Sequence, residues 1–513
     1  MPPQRRRVVV IGAGVAGLAA AIRSAAAGRL VTVLEAAEEP GGKLREQSHS
    51  GYRFDVGPSL FTWPELVVEL DTLARQAAPA GAALPPPFAF ERLDRSTHYF
   101  WEDGTRLIAW SDVHRFAAEC EAQLGVPAST LTRHLAHSTA SFEATRRIFL
   151  EQSLHDWSRT RTGKWRAAAR FAHRLPWFGT LHRWNVRKLR EPHLVQLFDR
   201  YATYNGSDPH RAPAMMHVIP HLEHGGGTFF PKSGMIGITH HLVTLAQALG
   251  VHFEFGVAAT KINHAHGRVT GVSAQRPGSV DPADEGAKAA PTTYAADVVV
   301  SNADVWPTYR TLLPELKAPE RILNQERSTS GVIFYWGVRG EHPALHLHNI
   351  LFSKDYREEF ASIATQGHPG DDPTVYIHIS SKLKADDAPQ GAENWFVMVN
   401  VAANPEGIQA HIPTIRSAVL AKIKRTLGVD LEARIETERH FSPEVIEHRT
   451  GSHLGALYGA SSNSPMAAFL RHRNRSTHLS GLYFCGGSVH PGGGIPLCLL
   501  SAKIASELID SHA

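Results

Sequence analysis

The first 35 residues alternate between the hydrophobic pattern of a buried strand and that of a helix. Residues 8–11 form a short β-branched run, which is typical of a buried parallel strand. Strong helix formers fill residues 18–27, and residues 30–34 form a second apolar run that ends in Glu35. Three glycines separate the first strand from the helix: Gly12, Gly14 and Gly17. The pattern predicts a strand, a tight turn, a helix and a second strand.

A bound dinucleotide would explain the spacing of these glycines. Gly12 permits the tight turn, Gly14 lets backbone amides approach a pyrophosphate, and Gly17 lets the helix pack closely on the strand. A carboxylate at Glu35 can accept hydrogen bonds from both ribose hydroxyls, and it disfavours the 2′-phosphate of NADP. A glycine-rich turn in an alanine-rich core is the structural alternative. The complete order of elements favours dinucleotide binding.

The next residues bear on the choice between FAD and NAD. Residues 40–45 read Pro-Gly-Gly-Lys-Leu-Arg, and residues 54–59 read Phe-Asp-Val-Gly-Pro-Ser. Gly41 and Gly42 allow a second close backbone approach, and Lys43 and Arg45 supply cations beside a diphosphate. An ordinary turn with two solvated cations is the alternative for either segment alone.

With these two segments the sequence resembles the flavin-dependent amine oxidase superfamily, and within it the bacterial phytoene desaturase type of carotenoid desaturase. That family places the double-glycine segment along the FAD diphosphate and the Gly57-Pro58 segment near the isoalloxazine ring. Many of its members carry arginine where this chain has Lys43.

The C-terminal region repeats the order of strand, turn and helix. Residues 481–485 are predicted as a strand, residues 486–496 as a glycine-rich turn and residues 497–508 as a helix. In isolation this could be a structural loop, but it resembles the C-terminal FAD motif of the carotenoid desaturases. Flavoproteins of this kind often have aspartate where this chain has Gly487-Ser488, so Ser488 or backbone amides would contact the ribityl chain. The predicted cofactor contacts are Gly12, Gly14, Ala16, Gly17, Glu35, Gly42, Lys43, Gly57, Pro58, Ser59, Ala259, Gly487, Ser488, Gly494 and Ile495.

The resemblance implies an α/β fold in which a Rossmann-like FAD-binding domain carries an inserted α+β substrate domain, as in glutathione reductase-2 and amine oxidase-like proteins. The FAD-binding domain would comprise residues 1–84, 226–305 and 431–513, and the substrate domain residues 85–225 and 306–430. Short strands are predicted in residues 250–262, 267–275 and 296–301. Residues 277–293 contain three prolines and few large apolar side chains, which predicts an exposed excursion.

Composition adds limits on class and location. The chain is 43% hydrophobic and 20% charged, so it can bury a large core. The three cysteines are scattered and suggest neither a disulfide framework nor a metal site, which fits a reducing cytoplasm. Arginines before the first apolar run resemble a signal peptide, but the glycines interrupt that run. We therefore expect no cleavage and no transmembrane span.

Residues 151–190 form a basic and aromatic cluster with ten Lys or Arg residues against two acids. The interleaved aromatic residues are Trp157, Trp165, Phe171, Trp177, Phe178 and Trp184. Basic side chains can reach anionic headgroups while indoles lie at the interface, so the cluster predicts peripheral contact with the cytoplasmic membrane. A solvated basic face over inward-packed aromatics is the main alternative. Nucleic acid is not predicted as a partner, because no binding motif accompanies the charge.

The resemblance implies that a hydride passes from a lipophilic carotenoid to the flavin while a proton leaves the neighbouring carbon. The electrons would then pass to a quinone or oxygen. Candidate catalytic helpers are His490, Asp55 and Lys232, with no metal. Each has a simpler structural interpretation. His490 would be a loop residue, Asp55 a hydrogen-bond acceptor in a turn and Lys232 a surface cation.

Residues 486–503 resemble the branch of the family that acts on 1-hydroxycarotenoids and introduces a 3,4 double bond. Several alternatives share the same motifs. They are a phytoene or diapophytoene desaturase, a carotenoid isomerase, a retinol saturase-like enzyme, an amine oxidase and a protoporphyrinogen oxidase. A non-enzymatic prenyl-binding relative and an NAD dehydrogenase also remain open at this point.

Overall fold

A computed structural model describes most of the chain. The residues described are 5–155, 176, 178–276, 278, 280–281, 284–288, 290–464, 467 and 471–512. Residues 156–175 and Trp177, the greater part of the predicted basic and aromatic cluster, lie outside them. The predicted membrane contact therefore stays a prediction.

The two predicted N-terminal strands belong to a parallel sheet of five strands. Its order across the sheet is His252–Phe255, Leu30–Glu35, Arg7–Ile11, Val298–Ser301 and Leu482–Phe484. All four pairings are parallel. The first strand of the chain and the last are thus separated by a single strand, and their carboxyl ends lie at the same edge of the sheet.

Helices cover one face of this sheet and a small antiparallel sheet covers the other. The helices are Val15–Ala26, Glu65–Ala77, Ile236–Ala248 and Ile495–Ser511, which share one buried apolar core with the strands. The antiparallel sheet consists of Ala258–Ala265, Arg268–Gln275 and Thr292–Ala295. A strand pair within the predicted excursion is formed by Val280–Asp281 and Asp284–Lys288. The predicted Rossmann-like unit is confirmed.

A second sheet has seven strands. Its order is Ile435–Phe441, Ser330–Arg339, Ala392–Val401, Val375–His378, His348–Leu351, Arg95–Phe100 and Arg106–Trp110. The predicted division places residues 435–441 in the third FAD-binding segment, whereas the structure pairs them with Ser330–Arg339. This edge strand exposes most of its polar side chains, so its sequence lacks the apolar alternation that marks the other strands.

The two faces of the seven-stranded sheet contact different parts of the molecule. In Ser330–Arg339, Phe334 belongs to the core shared with helix Ile412–Leu427. The next residue, Tyr335, faces the other way and packs against Phe54. This second face is therefore directed toward the hairpin that precedes Gly57.

Shorter elements complete the described fold. The further strands are Glu46–His49, Tyr52–Asp55, Phe61–Thr62, Phe90–Arg92 and Thr228–Pro231. The further α-helices are Val113–Leu124, Ala128–Phe149, Leu181–Leu189, Pro192–Asp199, Val305–Pro307, Glu320–Leu323, Tyr356–Gln366, Pro405–Ile408 and Pro443–Thr450. Among the described residues no helix combines the length and apolarity needed to cross a bilayer. The predicted α/β class is confirmed.

Because several histidines are buried, we expect acid to destabilise this fold. Burial lowers the pKa of His134, His348 and His472 to about 3 and that of His217 to about 4, from an ordinary value of 6.5. The unfolded chain therefore binds more protons than the native protein below about pH 6.5. Stability should fall as the pH drops from there toward 4, by about 1.4 kcal/mol per pH unit for each such histidine.

Urea unfolding midpoints measured between about pH 7 and pH 5 check this expectation. The variant His134→Gln should show a shallower loss than the wild type. His240→Gln alters an exposed histidine and should leave the pH dependence unchanged. Midpoints that do not move over this pH range would contradict the account.

Candidate functional site

The two glycine turns from opposite ends of the chain meet around Asn302. Asn302 follows the strand Val298–Ser301, which lies between the strands that precede the two turns. A methyl group built on Gly14 would lie 2.8 Å from Asn302 Nδ2, and one built on Gly486 would lie 2.8 Å from Asn302 Oδ1. The amide of Asn302 is therefore packed directly between both turns. No local sequence pattern marks Asn302 as part of the site.

The N-terminal turn leaves little room for a side chain at its glycines. A methyl group on Gly17 would lie 2.0 Å from the Gly12 carbonyl oxygen, and one on Gly42 would lie 3.3 Å from Gly14 Cα. No side chain caps the N-terminus of the helix that begins after Gly14. Its first amides and the adjacent backbone thus form a cradle that favours an anion.

Glu35 lies beside this turn. Its carboxylate accepts hydrogen bonds from the amides of Ala13 at 2.6 Å and Ala37 at 3.0 Å, and Arg45 lies 3.7 Å from it. Each carboxylate oxygen keeps further acceptor capacity. The Glu35 carbonyl also accepts a hydrogen bond from the Val257 amide. Ala259 follows two residues later, in Ala258–Ala265.

Lys43 and Gly57 connect the N-terminal turn with the rest of the site. A methyl group on Gly57 would lie 1.8 Å from the Lys43 carbonyl oxygen, so the two backbones are in contact. The Lys43 ammonium donates to the carbonyls of Ala456 at 3.1 Å and Leu457 at 2.8 Å. These two carbonyls hold the ammonium beside a segment that precedes the C-terminal turn. The predicted contact of Lys43 with a diphosphate stays a prediction.

The C-terminal turn presents its own backbone to the same region. Ser488 Oγ accepts a hydrogen bond from the Val305 amide at 3.1 Å. Gly494 has a φ of 95°, and a methyl group built on it would meet no atom within 4 Å. The helix that begins at Ile495 has no side-chain cap. A second uncapped helix N-terminus therefore faces open space.

Cations accompany these backbone groups. Burial lowers the pKa of Lys43 and lowers that of Arg471 to about 10. Arg471 donates to the carbonyls of Tyr458 and Gly487. Buried Arg327 Nη2 has no hydrogen-bond partner among the described residues and lies 3.9 Å from the nearby Asp304 carboxylate. Two free helix N-termini and an excess of buried positive charge fit a flavin dinucleotide with its anionic diphosphate.

His490 is buried beside the C-terminal turn. Its Nε2 donates to the Gln152 carbonyl at 3.0 Å, and its backbone carbonyl accepts from Asn474 and Ser501. Burial lowers the pKa of His490 to about 4, so its imidazole is a weak base at neutral pH. These contacts give it a structural role, and its predicted role in proton transfer has no support from its surroundings.

The other two candidate helpers differ in their burial. Asp55 is buried and accepts a hydrogen bond from Arg53 at 2.9 Å, and burial raises its pKa to about 6. Arg53 also pairs with Asp387. Lys232 is exposed, with no side-chain partner among the described residues. The surface position of Lys232 therefore argues against its predicted role in catalysis.

A hydrogen-bonded group that sequence reasoning missed extends from Ser59. Ser59 Oγ lies 2.7 Å from the Tyr376 hydroxyl, which lies 2.8 Å from His348 Nδ1. Ser59 and His348 are buried, and Tyr376 is half-buried. Because these residues are separated by hundreds of positions or lie on different strands, no local pattern could have brought them together.

The comparisons with known proteins agree with this geometry. The family model for flavin containing amine oxidoreductase matches residues 15–510. The chain belongs to this family and is a flavin-dependent oxidoreductase. The match confirms the predicted family and excludes the NAD dehydrogenase alternative.

Individual relatives cover nearly the whole chain. The 1-hydroxycarotenoid 3,4-desaturase of Flavobacterium sp. (strain P99-3) is 44% identical over 508 residues, which is 98% of this chain and 99% of the relative. The 4,4′-diapolycopene oxygenase of Methylomonas sp is 30% identical over 512 residues, which is 98% of each. The solved structure of cyclohexylamine oxidase from Brevibacterium oxydans IH-35A covers 99% of both chains at a TM-score of 0.59 and 14% identity, a likeness of fold.

Proposed function

We propose that this protein is an FAD-dependent carotenoid desaturase, and specifically a 1-hydroxycarotenoid 3,4-desaturase of carotenoid biosynthesis. The observation that carries the proposal is the meeting of both glycine turns around Asn302. It is supported by the 44% identity to a relative of that name over almost the full length of both chains.

The residues around the turns have the chemistry to hold FAD. Glu35 would accept hydrogen bonds from the adenosine ribose, and the uncapped helix that starts at Val15 would receive the diphosphate. Gly57 and the turn ending at Gly494 would flank the ring system. Ser488 would contact the ribityl chain through its hydroxyl, whose oxygen already accepts from Val305.

The reaction breaks two C–H bonds on neighbouring carbons and forms one C=C bond. The flavin supplies the acceptor for the hydride, and the second hydrogen leaves as a proton. Positive charge on the substrate would be delocalised along the polyene, which lowers the demand on any protein base. The chain's own residues then have to exclude water and orient the bond to be oxidised.

Three further parts of the proposal concern partners and location. The lipophilic substrate resides in a bilayer, so the enzyme would act as a peripheral protein on the cytoplasmic membrane. A quinone or oxygen would take the two electrons from the enzyme after each turnover. The basic and aromatic cluster of residues 151–190 would supply the membrane contact.

Expression in cells that accumulate defined acyclic carotenoids tests this function. We expect the pigment of cells that make a 1-hydroxycarotenoid to gain one conjugated double bond and absorb at longer wavelength. Empty-vector cells should show no change. Unchanged pigment in every strain, with the flavin-loaded protein present in the cells, would refute the proposed function.

A further inference from the structure

The half-buried phenol of Tyr376 contacts one of the segments predicted to flank the flavin. Through Ser59 it contacts the segment that follows Gly57. Burial raises the pKa of Tyr376, and Tyr458 contributes to this rise electrostatically. Tyr458 lies against the C-terminal turn, because a methyl group on Gly493 would lie 3.0 Å from it. Tyr376 therefore contacts the segment that follows Gly57, and its electrostatic partner Tyr458 lies against the C-terminal turn.

The seven-stranded sheet determines the direction of this side chain. In Val375–His378, the residues Val375 and Ile377 belong to the core shared with helix Ile412–Leu427. Tyr376 and His378 alternate with them and lie on the opposite face, where His378 pairs across the strands with His348. This is the face that packs against the hairpin before Gly57. Polar groups thus collect on the part of the sheet directed toward the flavin region.

Hydrogen-bonding capacity remains unused in this group. A phenol offers one donor and two acceptor positions, and Ser59 and His348 account for two of the three. Burial lowers the pKa of His348 to about 3, so its ring is neutral. The Nε2 atoms of His348 and His378 are buried with no partner among the described residues. Buried polar atoms without partners are costly, so a polar group of a ligand placed among them would be stabilised.

A pure hydrocarbon would offer these groups no hydrogen-bond partner, whereas a carotenoid with a hydroxyl on C1 would offer one. In such a substrate C1 is two carbon–carbon bonds from C3. When the C3–C4 bond is placed at the flavin, the hydroxyl must therefore lie beside the reacting carbons and not at the far end of a tunnel. Tyr376 occupies a position of that kind.

We infer that the Tyr376 hydroxyl, held between Ser59 and His348, binds the C1 hydroxyl of the carotenoid and thereby aligns its C3–C4 bond. The inference rests on the proposed function. Tyr376 is a positioning residue that selects hydroxylated substrates, because an analogue lacking the hydroxyl leaves a desolvated phenol without its third partner. The hydride and proton leave the substrate as described above, and Tyr376 exchanges neither.

The test compares two carotenoids that differ only in the C1 hydroxyl, offered in liposomes to the flavin-loaded wild type and Tyr376→Phe. We expect the wild type to prefer the hydroxylated carotenoid. In Tyr376→Phe, kcat/KM for the hydroxylated carotenoid should fall about ten- to hundredfold, while kcat/KM for the carotenoid without the hydroxyl should change less than about twofold. Tyr356→Phe is the matched control, since it removes a buried hydroxyl that has no partner among the described residues.

Binding without turnover provides a second readout. The corresponding desaturated products, with and without the hydroxyl, should co-purify with the wild type in unequal amounts and with Tyr376→Phe in equal amounts. Ser59→Ala, which removes a partner of the phenol, should reduce the preference in the same direction if Tyr376→Phe does not fold. A merely structural defect would lower the turnover and binding of both carotenoids alike.

The outcomes separate the inference from the function on which it rests. A wild type that desaturates carotenoids without preferring the hydroxylated one overturns the inference and leaves the proposed carotenoid desaturase function standing. So does a Tyr376→Phe variant that keeps the full preference. A flavin-loaded wild type that desaturates neither carotenoid overturns both.

Discussion

Gly17→Ala is expected to yield protein that no longer retains flavin on purification. The added methyl group would lie 2.0 Å from the Gly12 carbonyl oxygen, so the helix Val15–Ala26 must move away from the turn. That movement displaces the amides predicted to hold the diphosphate. Overpacking of this kind costs about 1–3 kcal/mol, which weakens FAD binding about ten- to hundredfold if the strain falls on the bound state.

Gly226→Ala is the matched control for this substitution. A methyl group on Gly226 would have its nearest neighbour at 3.9 Å, an ordinary contact. Flavin content per chain, measured by absorbance after gel filtration and by titration with FAD, distinguishes the variants. If Gly17→Ala carries as much flavin as the wild type and Gly226→Ala, the N-terminal turn is not the binding site.

Arg200→Met should strongly lower the free energy of unfolding. Arg200 lies 3.4 Å from Glu223, donates to the Tyr99 hydroxyl at 2.9 Å and lies over three tyrosine rings. Burial opposes ionisation of Glu223, but Arg200, His224 and hydrogen-bond donors outweigh it and lower its pKa to about 2. Removing the guanidinium leaves this carboxylate charged and buried, at a cost of about 3–5 kcal/mol.

The expected result is a clearly lower urea midpoint for Arg200→Met. Arg310→Met is the control, because Arg310 pairs with Glu320 through a two-pronged contact on the surface, where solvent screens the charges. Its midpoint should change little. Adding Glu223→Leu to Arg200→Met should recover part of the loss, since it removes the unpaired charge. Equal midpoints for the two single variants would contradict this account of the buried pair.

The local elements of the site were predictable from the sequence because they depend on neighbouring residues. The strand that ends at Ile11, the glycine turn after it and the carboxylate at Glu35 all follow from hydrophobic pattern and glycine spacing. The strand–turn–helix order near the C-terminus was predictable for the same reason. Glycine positions mark backbone contacts that no other residue permits, so they carry information about the tertiary structure.

Contacts between distant segments were not predictable in this way. Asn302 lies between the glycine turns because its strand is the central neighbour of two others, and strand order is a property of the folded sheet. The contacts of the Lys43 ammonium with the carbonyls of residues 456 and 457 join segments more than 400 positions apart, so no local pattern predicts them. Lys232 is a lysine like Lys43, and only the fold reveals that it is exposed.

The part of the site proposed to face the substrate could not be predicted from the sequence pattern either. Tyr376 and His378 alternate with apolar residues as in any half-buried strand. The pattern predicts that they share a face, but it does not identify the segment opposite that face. The contact with Ser59 appears only when the hairpin of residues 46–55 packs on the sheet.

The central claim is that one FAD, held between the two glycine turns, takes a hydride from a carotenoid. Anaerobic mixing of the flavin-loaded protein with a 1-hydroxycarotenoid in liposomes tests it most directly. We predict that the visible band of the oxidised flavin bleaches and that an equal molar amount of desaturated carotenoid forms. A fully loaded protein whose flavin stays oxidised with every carotenoid offered, or bleaches only with an amine, would contradict the account.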